Sequence, residues 1–157
     1  MSERLEKLFE GTALRIPEQS CVEYNGTVYT YRDIEQRAYT LACILIEKGI
    51  RSGQNVGVCF SPGPDLYAAL LGILKAGAVY VPLDPGLPSE RIRFIVKDAE
   101  LQCLLHDNSN TLTIGTESLP CINTGKVDWS KGQGTRYQAP KVDSDGICYI
   151  CYTSGTT

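Results

Sequence analysis

Two periods alternate between residues 55 and 106, and this alternation most constrains the fold. "NVGVCF" (55–60) is a short apolar run bounded by Gly53 and Pro62, with the length and flanks of a buried strand. "PDLYAALLGILKAG" (64–77) follows, with Leu66, Ala69, Leu70, Ile73 and Leu74 on one helical face. "AVYVPL" is again strand-like. "PSERIRFIVKDA" (88–99) repeats helical spacing with Ile92, Ile95 and Val96 turned inward, and "LQCLLHD" closes a third strand. Strands and helices joined by connections of a few residues imply right-handed crossovers and a mostly parallel sheet with helices on both faces. The class is α/β.

The flanks fit that frame. Residues 3–10 read as a short amphipathic helix with Leu5, Leu8 and Phe9 on one side. "CVEYNGTVYTY" holds two β-prone runs around Asn25-Gly26, a hairpin signal. Thr30, with Asp33 three residues on, resembles a capping box. It opens a helix carried by Ile34, Ala38, Leu41, Ala42 and Leu45 and stopped by Gly49. Residues 107–146 break the rhythm: they are rich in Asn, Ser, Thr, Gly and Lys, only "SLPCIN" resembles a strand, and the segment reads as loop-rich connection within one domain spanning 1–157. Ile147–Tyr152 then returns as a buried parallel strand, and "TSGTT" leaves its C-terminal end.

A chain of 157 residues, 43% hydrophobic, can bury one core. Its 15 basic and 18 acidic residues give a net charge of -3 without a basic stripe, which argues against a nucleic-acid partner. No stretch approaches the roughly 20 apolar residues of a membrane span, and "MSERLEKLFEGT" lacks a signal core, so a soluble, cytoplasmic protein is expected. Seven cysteines at irregular spacing do not form a disulfide framework. Cys43, Cys59, Cys103 and Cys121 lie in apolar runs and read as small hydrophobes. Cys148 and Cys151 are formally C-x-x-C, but in a strand a separation of three places them on opposite faces with Cα atoms about 10 Å apart. A metal or redox role is not expected of them.

Thr153, Ser154, Gly155, Thr156 and Thr157 offer hydroxyls and backbone N–H groups at the strand end where open parallel sheets bind ligands. Phosphate oxygens suit such a loop. On these five residues alone an ordinary turn is the stronger account, and the G-x-x-x-x-G-K-[ST] phosphate loop is absent. Asp84-Pro85 reads as an exit turn, Arg91 as a solvated helix-surface residue, and His106 as an edge residue at a strand end without triad partners.

Three stretches, in order, carry a resemblance. "YTSGTT" (152–157) resembles the opening of the phosphate-binding signature of adenylate-forming enzymes, the family of peptide synthetase adenylation domains, acyl-CoA synthetases and firefly luciferase. "LKAGAVYVPLDP" (74–85) resembles the second core motif of peptide synthetase adenylation domains, and "YTYRDIEQRA" (29–38) the first. "GLPSERIRFIVKDAE" (86–100) is similar to the segment that follows the second. The resemblance covers about residues 1–106 and 145–157, and "VPLDPGLPSER" leans toward amino-acid-activating members.

The resemblance implies an ATP- and magnesium-dependent ligase. Such enzymes form an acyl- or aminoacyl-adenylate from a small carboxylic or amino acid and pass it to a thiol, commonly the phosphopantetheine of a carrier domain. Thr153, Ser154, Gly155, Thr156 and Thr157 would then hold ATP phosphates, with no catalytic residue or metal ligand transferable to this stretch. The signature's following glycine, proline and lysine lie beyond Thr157. The expectation is therefore the N-terminal part of an adenylation domain, inactive alone, with a true start at Met1 and an incomplete carboxyl end. Two alternatives stand beside it: a non-catalytic α/β piece that acts by docking to a partner, and a flavodoxin-like binding module.

Overall fold

The computed structural model describes residues 3–107, 118–130, 138–143 and 145–154. Helix α1 (Leu5–Arg15) leads into the hairpin β1 (Ser20–Tyr24) and β2 (Thr27–Thr30), and α2 (Tyr31–Glu47) follows. Then come β3 (Asn55–Cys59), α3 (Pro64–Lys75), β4 (Val79–Pro82), α4 (Ser89–Asp98), β5 (Cys103–His106) and β6 (Cys121–Asn123). A single 3-10 turn covers Thr124–Lys126.

Local chemistry explains most boundaries. Asn25 and Gly26 both take positive φ, 51° and 75°, which is what a two-residue turn joining right-twisted strands requires. The capping box forms as predicted: the Thr30 hydroxyl accepts from the Asp33 amide, and the Asp33 carboxylate accepts from the Thr30 amide at 2.7 Å. Gly49, at φ 88°, ends α2. Helix α1 runs further than the sequence reading over 3–10. Gly11 does not stop it, and nothing breaks it before Pro17. Its apolar residues also differ from expectation, since Leu5 and Leu8 are half exposed while Glu6 and Ala13 are buried.

The main sheet has the order β4-β3-β5-β6, all parallel. From β3 the chain steps to β4 on one side, then returns across β3 to reach β5. Right-handed crossovers must put the helices of two opposed steps on opposite faces, and they lie there. Val56, Val58 and Leu105 pack under α2 and α3, whereas Val81, Cys59 and Leu104 pack under α4 with Ile95 and Ala99. The α/β class with helices on both faces holds.

Two glycines permit this packing. A Cβ at Gly72 of α3 would stand 2.8 Å from the Ala38 carbonyl oxygen and 2.9 Å from the Leu41 Cβ, so α2 and α3 are in near backbone contact there. A Cβ at Gly57, in the centre of β3, would meet Leu101 and Leu104 at 2.7 and 3.0 Å.

The predicted buried strand Ile147–Tyr152 is corrected: it is an extended segment in which only Tyr149 forms a bridge to the sheet. It joins the sheet beside β4 by one parallel bridge, in which the Tyr80 amide donates to the Cys148 carbonyl and the Ile150 amide to the Tyr80 carbonyl, both at 2.9 Å. Ile150 and Tyr152 pack toward α4, but Ile147 and Tyr149 are 67% and 62% exposed. An apolar run reports what a strand can bury, and here only one face has a cover. Cys121 is corrected for a similar reason: β6 is the outermost strand of its side and leaves that thiol exposed, whereas Cys43, Cys59 and Cys103 are buried. Burial pushes the Cys59 and Cys103 thiols up to about 11. Cys148 and Cys151 are free and exposed.

One ionic network ties the first three helices together. The buried Lys75 ammonium lies 2.5 Å from Glu35 and 3.7 Å from Glu10. Burial raises the Glu35 carboxyl above its ordinary value against the pull of Lys75. Replacing Lys75 by Met should cost roughly 2–3 kcal/mol, because the Glu35 carboxylate then stays largely buried without its nearest cation. The folded-state pKa of Glu35 rises further in that variant, so its deficit should widen between pH 4 and pH 7. Thermal denaturation across that range checks this, and Lys75→Met with Glu35→Leu should recover much of the loss.

Candidate functional site

The carboxyl ends of the parallel strands face one edge of the sheet. Two places on that edge have the geometry of a site, one at the strand ending in Tyr152 and one between β3 and β5.

At the first, the 147–152 strand exits beside the end of β4, where Asp84 builds the turn expected of it. The Asp84 carboxylate accepts from the Gly86 amide at 2.8 Å, and its carbonyl accepts from the Leu87 amide. Thr153 and Ser154 follow Tyr152 and are exposed. Gly155, Thr156 and Thr157, the rest of the predicted phosphate-binding stretch, lie outside the described residues.

Helix α4 holds this exit. The Tyr152 hydroxyl donates to an Asp98 carboxylate oxygen at 2.6 Å, and the Tyr152 ring meets Phe94 edge-on with centroids 6.4 Å apart. Arg91 donates to the Thr153 carbonyl at 3.3 Å while its guanidinium lies 5.3 Å over the Phe94 ring. Partial burial and then the Asp98 carboxylate push the Tyr152 phenol up to about 12. Arg91 is thus not the purely solvated helix residue that its sequence position indicated. Its partner is 62 residues away in the chain, and no local pattern encodes that distance.

The second place is the topological switch point. The chain leaves β3 in one direction and reaches β5 in the other, and such a crevice is where open α/β sheets often take ligands. A cavity of about 380 Å³ lies there, lined by Tyr24, Tyr29, Arg37, Asp65 and Asp107 among others. The Ser61 amide donates to the Asp107 carboxylate at 2.8 Å, which ties the two strand ends together. Arg37 is engaged on several sides: it pairs with Asp65 at 2.5 Å and lies 5.1 and 4.9 Å over the rings of Tyr29 and Trp129. A larger cavity of about 650 Å³ sits between α2 and the 121–128 segment. It is lined by the whole of β6 and by Lys126, Val127 and Asp128 beyond it.

His106 ends β5, an interior strand, and pairs in register with Cys59 and Asn123. It therefore belongs to the middle of the sheet rather than to an edge. Its Nδ1 lies 3.1 Å from the Asp107 carbonyl oxygen. No group of three His, Cys, Asp or Glu residues able to hold a metal occurs among the described residues.

The family model for "AMP-binding enzyme" matches residues 9–157, nearly the whole chain and including the exit from the 147–152 strand. The chain belongs to the AMP-binding enzyme family. Its relatives include a linear gramicidin synthase of Brevibacillus parabrevis, 36% identical over 99% of this chain. The chain spans only 3% of that protein. Among solved structures, the N-terminal subdomain of Klebsiella oxytoca NpsA in complex with 3-hydroxybenzoyl-AMSN superposes with a TM-score of 0.82 at 21% identity, covering 99% of this chain and 38% of that one. The AMPPNP-bound nonribosomal peptide synthetase FmoA3 (S1046A) gives a TM-score of 0.81 at 28% identity over 96% of this chain and 16% of that one. This AMP-binding enzyme chain thus has the fold of part of the N-terminal subdomain of adenylate-forming enzymes. No helix among its described residues is long and apolar enough to cross a membrane.

Arg37 gives the switch-point crevice a direct readout, because Trp129 is the only tryptophan in the sequence. Arg37→Ala removes the cation from the Trp129 face and frees Asp65. The indole should become wetter, and its emission should move to longer wavelength with little change in far-UV circular dichroism. Unchanged emission would show that Arg37 does not hold the 127–130 segment against α2.

Proposed function

We propose that the chain is the first part of an adenylation domain that activates a small carboxylic or amino acid with ATP, and that Thr153, Ser154, Gly155, Thr156 and Thr157 hold the nucleotide's phosphates. The observation that carries this reading is the family match running through 152–157, supported by the place of Thr153 and Ser154 just after a segment that meets β4 through one parallel bridge at Tyr149. Their donor chemistry fits. The hydroxyls of Thr and Ser side chains and main-chain N–H groups are neutral donors, and they can donate to several phosphate oxygens whatever the pH. Each hydrogen bond to a charged oxygen contributes roughly 1.5 kcal/mol or more.

In this reading the loop's work is positioning and charge stabilisation, not proton transfer. Fixing the phosphates orients the α-phosphorus toward the substrate carboxylate and favours departure of pyrophosphate. Magnesium would be held largely through the nucleotide's phosphate oxygens. The acyl group then passes to a thiol, for which we propose the phosphopantetheine of a carrier domain. The similarity to a gramicidin synthase and to a nonribosomal peptide synthetase favours a carrier over a soluble acceptor and an amino acid over a fatty acid.

The full-length protein should exchange labelled pyrophosphate into ATP in the presence of one or a few amino or carboxylic acids. Thr153→Ala with Ser154→Ala should lower kcat/KM for ATP about tenfold or more, from the loss of one or two charged hydrogen bonds. Residues 1–157 span 38% of the NpsA subdomain chain, and alone they should show no exchange. A full-length protein inert with every acid in a broad panel, or a double variant with unaltered ATP dependence, contradicts the proposal.

A further inference from the structure

We propose that helix α4 is a positioning element for Thr153 and Ser154, with Arg91, Phe94 and Asp98 clamping Tyr152 and Thr153 so that these two residues meet the nucleotide from a fixed place. The inference rests on the adenylation reading and adds to it the residues that aim the loop.

The strand that carries the loop needs such a device. It is joined to β4 by one bridge with two hydrogen bonds, and the side chains of Ile147 and Tyr149 are exposed. A strand so lightly paired does not by itself fix the direction of its exit. Helix α4 is held far more firmly, with Ile92 and Ile95 each 1% exposed. Arg91, Phe94 and Asp98 stand at positions i, i+3 and i+7 of that helix, along one face. All three reach the exit: Asp98 accepts from the Tyr152 hydroxyl, Phe94 meets its ring, and Arg91 takes the next carbonyl along.

Each contact constrains a different motion. The 2.6 Å bond to a carboxylate is charge-assisted and fixes the far end of the phenol. The Phe94 edge contact sets the tilt of the ring. Arg91, itself steadied over Phe94, fixes the orientation of the Thr153 peptide unit and so of the Ser154 amide that shares it. Asp98 is also the last residue of α4, where the helix dipole disfavours a carboxylate. Its bond to Tyr152 offsets that cost and gives the residue a reason to be there.

The test uses the full-length protein with Tyr152→Phe, Asp98→Ala, Asp98→Asn and Arg91→Ala. Tyr152→Phe and Asp98→Ala should each raise KM for ATP about tenfold, the size of one such hydrogen bond, and leave KM for the acid unchanged. Combining them should be no worse than either alone, because both remove the same bond. Asp98→Asn, which keeps an acceptor, should restore most of the loss, and Arg91→Ala should add to it. Hydrogen exchange of peptides within 147–154 should quicken in the same order. An active wild type whose variants keep its KM for ATP, or lose ATP and acid affinity equally, overturns the clamp and leaves the adenylation reading standing. Unchanged exchange in 147–154 also overturns the clamp, whatever the activity. A wild type inert in pyrophosphate exchange overturns the adenylation reading, and with it the clamp's purpose.

Discussion

The parallel pairing of β3 with β4 on one side and β5 on the other is the constraint from which the rest of the structure follows. A chain that leaves β3 one way and returns past it must place α3 and α4 on opposite faces if its crossovers are right-handed. That single reversal buries β3 on both sides, explains why Gly57 carries no side chain under Leu101 and Leu104, and creates the switch-point crevice. It also puts α4, the one described helix on its face, within reach of the segment that lies beyond β4.

The same geometry separates support from chemistry along one sheet edge. At the β3–β5 crevice the polar groups largely satisfy one another: Arg37 with Asp65 and two aromatic faces, and Asp107 with the Ser61 amide. Such a closed set holds segments together. Beyond the bridge at Tyr149, Thr153 and Ser154 are exposed, and the contacts behind them go through Tyr152 and the Thr153 carbonyl.

Much of the fold was legible in the sequence because its signals are local. The Thr30–Asp33 box, the Asn25-Gly26 turn, the stop at Gly49 and the apolar stripes of α2, α3 and α4 depend on residues a few positions apart. The burial of Cys59 and Cys103 followed from their apolar neighbours. What the sequence could not carry were relations between distant residues. The exposure of Cys121 and Tyr149 depends on which strand ends the sheet and what lies over it. The contact of Arg91 with Thr153 depends on α4 being brought beside a strand that comes more than fifty residues later. For the candidate site, the residue types were readable, but the helix that contacts Tyr152 and Thr153 was not.

The central claim is that the nucleotide's phosphates meet this chain at the exit of the 147–152 strand. Hydrogen exchange of the full-length protein with and without the non-hydrolysable analogue AMPPNP and magnesium measures this directly, peptide by peptide. The account predicts protection concentrated in 152–157, with a smaller effect in the α4 peptide containing Arg91 and Asp98 and none at Ser61–Asp65. Protection at the β3–β5 crevice with none at 152–157 would contradict it.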